Sequence, residues 1–211
     1  MEAPIRIDKL ASQGASFLVS VSTLEEPLLI SAEFVMDNRL VEGITLTPPQ
    51  LEQLRLAADL LACKREAGRL LALRERSVGE MEFKLRQKGF GTDVIKSIIA
   101  TFRRSGHLDD TVYAAKLAEY TLRRSPSGRA YLVATLRRKL IGRELAERTV
   151  DALMSRQSEE EIAVRALRKR WSQYRQLELE TARRKAYNYL SRRGISYQAA
   201  RAAFETLSRE T

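Results

Sequence analysis

A six-residue segment occurs three times in the chain, at intervals of 51 and 54 residues. The copies are Leu85–Phe90 (LRQKGF), Leu136–Ile141 (LRRKLI) and Leu190–Ile195 (LSRRGI). Each copy is followed by apolar residues at helical spacing. A period of this length is typical of repeated supersecondary units that bury their apolar faces on one another. We therefore expect an array with an extended binding surface, because such arrays rarely form deep catalytic pockets.

Residues 5–46 predict short strands. A further strand is expected at Phe34–Val35, followed by a turn at Asp37–Asn38 and by Leu40–Val41. We expect a small antiparallel sheet, too small to be stable alone, that packs on the helices C-terminal to it. The β-prone runs bounded by turn residues are Ile5–Ile7, Phe17–Val21 and Leu28–Ile30.

The remaining chain predicts helices with clear end signals. Thr47–Gln50 (TPPQ) and Ser77–Glu80 (SVGE) are capping boxes, in which a hydroxyl accepts a backbone N–H. Gly89 and Gly106 are expected to end helices in left-handed conformation. Thr92 or Asp93 is expected to cap the helix between these two glycines. Asp109 is expected to cap the helix after Gly106, with Leu108 packing on Tyr113. Residues 125–128 (SPSG) are expected to form a turn between two helices.

These signals divide the chain into an N-terminal extension, a connecting helix and three repeats of three helices. The third repeat is the least regular, as expected for a terminal unit with one face in solvent. The fold class is mainly α: three tandem three-helix repeats in an elongated curved array, with a small β-rich extension. The predicted boundaries are 1–46 for the extension, 47–61 for the connecting helix, and 62–107, 108–157 and 158–211 for the repeats.

The charge is unevenly distributed. Residues 1–60 carry 4 basic and 9 acidic side chains, whereas the whole chain carries 37 basic and 27 acidic ones, a formal net charge of +10. The region after residue 60 therefore indicates a polyanionic partner, either nucleic acid or an acidic protein surface. Part of the excess also fits a bias toward arginine that has nothing to do with binding.

Basic clusters recur near predicted helix ends. They can bind phosphates or carboxylates of a partner, but they also complement helix dipoles and cover apolar surface. Trp171 and Tyr174 lie beside them, where they either stack with bases or pack in the core. The candidate partner-binding residues are Arg103, Arg104, Arg123, Arg124, Arg137, Arg138, Lys139, Arg168, Lys169, Arg170, Arg183, Arg184, Lys185, Arg192 and Arg193.

The sequence offers little for catalysis. A nucleophile–base pair would depend on the single cysteine, Cys63, or the single histidine, His107. Asp109 and Asp110 are better explained as helix-capping residues than as an acid/base or metal pair. We therefore expect no enzyme activity, no cofactor and no metal site. One cysteine fits a reducing cytoplasm, and no apolar run is long enough to span a membrane.

The order of the capping motifs resembles the RecX family of bacterial regulatory proteins. The resemblance covers roughly residues 47–211, and the strand-rich start is similar to an N-terminal extension of some members. Individually the matching residues are helix caps and terminators, but together their order and spacing are specific. They are Arg74, Ser77, Glu80, Met81, Lys84, Leu85, Lys88, Gly89 and Phe90, then Gly106, Leu108, Asp109, Asp110, Tyr113 and Ala114, then Gly128, Leu132, Leu136, Lys139 and Ile141.

This resemblance implies a helical body that binds the RecA recombinase, lodges in the groove of its DNA filament and limits filament growth, ATPase, strand exchange and coprotease activity. Some members also bind DNA. His107 departs from the family pattern by replacing an aromatic residue, and Leu140 by replacing a glycine. The second change removes a flexible helix terminator, so we expect it to alter the bend after the second repeat.

Three hypotheses remain open for the partner. The first is a regulator that inhibits the RecA filament through the basic face of the array. It would act as a monomer in the cytoplasm, during DNA repair and the SOS response. The second is a stand-alone helical repeat protein that binds single- or double-stranded DNA. The third is a scaffold for another protein, with the charge incidental. Whether regulation inhibits or stimulates RecA is not determined by the residues.

Overall fold

The computed structural model describes residues 4–210, and the predicted fold class is confirmed in its main features. The described residues form eleven helices and one four-stranded antiparallel sheet near the N-terminus. Residues 1–3 of the predicted extension and residue 211 of the predicted third repeat lie outside the described residues. The boundaries proposed for the extension, the connecting helix and the repeats remain predictions.

The sheet is built on one hairpin. Gly14 has a φ of 64° and turns the chain between the first two strands. Ile7, Val19 and Ile30 of the sheet are fully buried, and they share one hydrophobic core with Leu54 of the first long helix. The strands are β1 Ile5–Gln13, β2 Ser16–Val21, β3 Leu28–Ser31 and β4 Thr45–Leu46, in the spatial order β3-β2-β1-β4.

The strand predicted at Phe34–Val35 is wrong, because these residues belong to the short helix α1, Ala32–Asp37. The Ser31 hydroxyl accepts a hydrogen bond from the Phe34 N–H and begins this helix. Val35 is buried in the sheet core. A local cap and one anchoring side chain therefore override the β-propensity of the segment.

The helix α2, Pro48–Leu73, begins at the predicted capping box. The Thr47 hydroxyl accepts from the Gln50 N–H, and the Gln50 carboxamide accepts from the Thr47 N–H at 2.8 Å. Its N-terminal half packs on the sheet through Leu51 and Leu54. The helix runs without a break through residues 61 and 62, where the first repeat was expected to start.

Two helices follow, α3 Val78–Gln87 and α4 Thr92–Arg104. The Ser77 hydroxyl accepts from the Glu80 N–H at 3.0 Å, as predicted. The cap expected from Thr92 or Asp93 is wrong: α4 begins after Gly91, and its N-cap makes no side-chain hydrogen bond. Both glycine terminators are confirmed, with φ values of 89° at Gly89 and 73° at Gly106.

The chain divides into two compact units. The first comprises the residues up to Glu75 together with Met81–His107, and the second comprises Arg76–Glu80 together with the residues from Leu108 onward. The second unit holds the remaining helices. These are α5 Asp110–Arg124, α6 Arg129–Arg138, α7 Arg143–Met154, α8 Glu159–Arg168, α9 Trp171–Tyr174, α10 Leu179–Arg192 and α11 Tyr197–Arg209.

A single continuous core holds the second unit together. Leu136, Ile162 and Leu190 are fully buried in it. The one-turn helix α9 contributes Tyr174, which is buried, and Trp171, whose ring meets that of Phe204 edge-on at 5.4 Å between centroids. The structure therefore places both aromatic residues in packing contacts, which favours the core alternative over stacking with bases.

The second and third copies of the recurring segment form two joints, in each of which the end of one helix meets the start of another. At the first joint, the end of α6 meets the start of α3, where the Ser77 hydroxyl donates to the Lys139 carbonyl. At the second joint, the end of α10 meets the start of α6, where the Gly128 N–H donates to the Arg193 carbonyl at 2.9 Å. Both contacts place a helix C-terminus against a helix N-terminus, which is the favourable alignment of two helix dipoles.

Leu140 adopts the conformation of the glycine that it replaces. Its φ is 57°, and the Ile141 N–H bonds the Leu136 carbonyl, as the Ile195 N–H bonds the Leu190 carbonyl after Gly194. This is the hydrogen-bond pattern of a helix terminated in left-handed conformation. The substitution therefore leaves the terminator in place but strains the backbone.

Candidate partner-binding surface

Three of the predicted basic clusters meet at the turn between α5 and α6. The Lys169 ammonium donates to the Arg124 carbonyl at 2.8 Å. The Arg193 guanidinium donates to the Ser125 hydroxyl and, at 3.4 Å, to the Pro126 carbonyl. Residues far apart in sequence thus converge, and we define Arg124, Lys169, Arg170 and Arg193 as the basic seam. Arg124 takes part through its carbonyl, and its guanidinium donates to the Tyr120 hydroxyl at 2.6 Å.

Tyr189 lies at the centre of the basic seam. The guanidinium carbons of Arg170 and Arg193 lie 4.6 and 4.9 Å from its ring centroid. The ring is largely buried, and its hydroxyl donates to the Ala166 carbonyl at 3.5 Å. The two cation–π contacts hold the guanidinium groups in place and use no carboxylate to do so.

The local acidic residues leave the charge of the basic seam uncompensated. Between residues 165 and 193 there are 10 basic residues and only two acidic ones, Glu178 and Glu180. Glu178 accepts from the backbone N–H groups of Glu180 and Thr181, which lowers the pKa of its carboxyl group. Glu180 pairs with Arg183 at 3.6 Å. The cations of the seam are instead held by carbonyls, hydroxyls and two tyrosine rings, so they can still attract phosphates or carboxylates.

Other predicted binding residues have structural contacts of their own. Arg168 makes an ion pair with Glu210 at 2.8 Å. It therefore lies apart from Lys169, which contacts the Arg124 carbonyl, and from Arg170, which contacts the Tyr189 ring. Arg137 donates to the Ile141 carbonyl at the end of its own helix, and Lys139 pairs with Glu80 at 3.4 Å. Both contacts stabilise the first joint. These three residues are thus engaged within the chain.

The remaining predicted residues are exposed and dispersed. Arg183 lies over the Tyr187 ring at 5.6 Å, and Arg138 over the Tyr131 ring at 5.9 Å. Arg103 and Arg104 end α4 in the first unit. The structure brings none of these residues into the basic seam; the other exposed members of the predicted set are Arg123, Arg184, Lys185 and Arg192.

A second group of basic residues was not predicted. Lys116, Arg148, Arg156 and Arg165 line two adjoining hollows beside α5 and α7, together with the predicted Arg123. None of the four has a basic residue beside it in the sequence. The available signal was helical spacing, because Lys116 and Arg123 are seven residues apart on α5 and Arg148 and Arg156 are eight apart around α7.

Three of the groups considered for catalysis, on Cys63, Asp109 and Asp110, have structural roles, whereas Nδ1 of His107 lies 2.7 Å from the exposed Ser105 hydroxyl. Burial raises the pKa of the Cys63 thiol to about 11, which keeps it protonated. Asp109 accepts from the Thr111 and Val112 N–H groups at the start of its own helix. Asp110 accepts from the Val78 N–H at 2.8 Å and so caps α3. Within residues 4–210, no three His, Cys, Asp or Glu side chains are grouped so that they could hold a metal ion.

In the described region no helix combines the length and the apolar character needed to cross a bilayer.

Comparison with known proteins identifies the family. A sequence profile of the RecX first three-helix domain matches residues 63–102, and one of the RecX third three-helix domain matches residues 158–204. The regulatory protein RecX of Pelodictyon phaeoclathratiforme is 32% identical over 139 residues, which is 66% of this chain and 84% of that protein. The regulatory protein RecX of Treponema pallidum (strain Nichols) is 35% identical over 103 residues, 49% of this chain and 63% of that protein.

A solved structure shares the fold. The crystal structure of a regulatory protein RecX matches with a TM-score of 0.75 at 17% sequence identity, covering 95% of this chain and 99% of that one. At this sequence identity the match shows a shared fold alone, whereas the sequence matches show membership of a family. The chain therefore belongs to the RecX family of regulatory proteins.

Proposed function

We propose that this chain binds the filament that the RecA recombinase forms on DNA and inhibits it. Inhibition would limit filament growth, ATPase, strand exchange and coprotease activity, and so regulate DNA repair and the SOS response in the cytoplasm. Membership of a family of regulatory proteins supports a regulatory role. A role in regulation also fits the buried, protonated thiol of Cys63 and the helix-capping roles of Asp109 and Asp110.

The observation that carries the proposal is the convergence of Lys169, Arg170 and Arg193 at the α5–α6 turn. A DNA filament coated with protein presents both phosphates and carboxylates, and arginine binds either group in bidentate geometry. Because the cations are positioned in advance by neutral partners, less conformational entropy is lost when the filament binds. The basic seam is therefore our proposed contact.

We propose most of the other predicted residues as secondary contacts. Arg123 and Arg192 are exposed neighbours of the basic seam in sequence, and Arg184 and Lys185 lie on α10. Charges at the rim of an interface mainly accelerate association, so each should contribute less than a residue of the seam. Arg138 and Arg183 of the second unit belong in this secondary group, and we propose Arg103 and Arg104 as separate contacts on the first unit.

Titration separates filament regulation from stand-alone DNA binding. The chain is added to preformed RecA filaments on single-stranded DNA, with ATP hydrolysis as the measurement, and in parallel to the same DNA without RecA at two salt concentrations. Filament regulation predicts inhibition at concentrations well below those that bind free DNA. Tight binding to DNA alone, with a steep loss of affinity at higher salt and no effect on hydrolysis beyond competition for DNA, would instead support the DNA-binding alternative.

A further inference from the structure

The second unit contains a groove that the proposed function does not use. It lies between α5 and α7 and has a volume of about 250 Å³. Its floor is aliphatic, formed by Ala115, Ala118, Leu145, Ala152 and Leu153. Small-molecule sites usually occupy about 300–1,000 Å³. The groove is therefore suited to one or two inserted side chains.

The rim of the groove is basic. A second hollow adjoins the first, and the two share Glu119, Leu153 and Arg156. Glu119 is the one acidic residue among the residues that line them. The five basic residues are Lys116, Arg123, Arg148, Arg156 and Arg165.

The contacts of Arg148 and Arg165 leave both side chains available to a partner. Arg148 pairs with Glu144 at 3.8 Å, but both side chains are exposed, so this pair is weak. Arg165 donates to the neutral Gln157 carboxamide at 2.7 Å. The rim thus keeps a positive potential around an apolar floor.

We propose that this groove docks an acidic amphipathic segment of a partner protein. The aliphatic floor accepts an apolar side chain, and the rim accepts the carboxylates that flank it. An amphipathic helix supplies both, with apolar residues at i and i+4 and acidic residues between them. The site shares only Arg123 with the proposed filament contacts, and the proposal holds whether or not the basic seam binds the filament.

A protein segment fits the groove better than nucleic acid does. The residues that line the groove itself include no aromatic ring, so its floor offers bases nothing to stack on; Tyr120 lines only the adjoining hollow, and the Arg124 guanidinium lies over its ring. Phosphates would be attracted by the basic rim, but the aliphatic floor would make no favourable contact with them. The combination of apolar floor and basic rim therefore favours carboxylates carried on an apolar segment.

Labelled peptides of about four helical turns provide the probe. The first peptide carries leucine at i and i+4 among glutamates, the second replaces leucine by serine, and the third replaces glutamate by lysine. Fluorescence anisotropy should show binding of the first at least about tenfold tighter than of the other two. Equal binding of the serine peptide would overturn the proposal, because attraction would then be purely electrostatic. Displacement of the first peptide by a thymidine oligonucleotide would also overturn it.

One substitution tests insertion into the floor. Ala152→Arg fills the groove but adds positive charge, so electrostatics alone predicts tighter binding of the acidic peptide. The proposal predicts a loss of at least about tenfold. Ala134→Arg on α6, also at an exposed helical position, is the matched control and should bind as the unchanged protein does. Unchanged or improved binding by Ala152→Arg would contradict the insertion.

A second substitution tests the rim. Arg156→Glu should weaken the acidic peptide by about tenfold and strengthen the lysine peptide. Arg175→Glu, which reverses an exposed arginine that does not line the groove, is its control and should leave the preference between the peptides unchanged. Equal effects of the two substitutions would show that net charge, and not this rim, attracts the peptide.

Discussion

The Gly128 N–H donates to the Arg193 carbonyl at 2.9 Å, which ties the start of α6 to the end of α10 across 65 positions of sequence. Gly128 can approach so closely because it lacks a side chain: a Cβ there would collide with the Gly194 carbonyl oxygen. The Leu190–Ile195 copy of the recurring segment thus has two roles, since it ends α10 and supports the start of α6.

Gly128→Ala should destabilise the chain strongly. The added Cβ meets backbone atoms, which cannot rotate away, so we expect a loss of about 2–3 kcal/mol in the free energy of unfolding. Urea unfolding measures it. Gly142→Ala is the matched control, since Gly142 is also the residue before a helix and an added Cβ there has nothing within 4 Å. A similar, small effect of both substitutions would show that the close approach at Gly128 contributes nothing.

Leu140→Gly should relieve the strained terminator of α6. A left-handed conformation costs an L-residue about 1–2 kcal/mol, and glycine adopts it without that penalty. Leu140→Ala is the control, because it removes the same exposed side chain but keeps the Cβ. We expect the glycine variant to be more stable than the alanine variant by about 1 kcal/mol in urea unfolding. Equal stabilities would mean that Leu140 adopts another conformation in solution.

Glu178→Gln should reduce the sensitivity of the fold to acid. The pKa of Glu178 lies below its ordinary value of 4.5 in the folded chain, because two backbone N–H groups bond the charged carboxylate. Its contribution is therefore present above pH 4.5 and is lost as the pH falls through the lowered folded pKa. Thermal unfolding should show a smaller loss of stability on acidification for Glu178→Gln than for Glu180→Gln. Identical acid profiles of the two variants would contradict the cap.

Local signals in the sequence predicted the helix ends well. Thr47 and Gln50, like Asp109 and Thr111, lie within three residues of each other, so their contacts depend on the local backbone alone. The left-handed glycines are local for the same reason. The helix at Ala32–Asp37 was missed because six residues show no helical period, and its position depends on burial of Val35 against the sheet.

The candidate binding surface was predicted only in part. Runs such as Arg168–Arg170 are visible in a sequence, but their members separate in space: Arg168 meets Glu210, whereas Lys169 meets the Arg124 carbonyl. Isolated basic residues such as Arg148 and Arg156 escape a search for runs. Which charged side chains come together depends on long-range packing. Here the hydrogen bond from Gly128 to Arg193 fixes the end of α10 at the α5–α6 turn, and so brings Arg193 to Lys169 and Arg170.

The most direct test of the proposed function compares two double charge reversals. Lys169→Glu/Arg170→Glu changes the basic seam, and Arg55→Glu/Lys64→Glu changes two exposed basic residues of α2 in the first unit. Both variants are first compared with the unchanged chain by thermal unfolding, and both receive the same change in net charge.

The measurement is the concentration of each variant that halves ATP hydrolysis by RecA filaments on single-stranded DNA. We predict that this concentration rises at least about tenfold for Lys169→Glu/Arg170→Glu, because the introduced carboxylates repel the anionic groups that the two cations would bind. The α2 variant should inhibit as the unchanged chain does. A folded Lys169→Glu/Arg170→Glu variant that still inhibits like the unchanged chain would contradict the assignment of the basic seam as the filament contact.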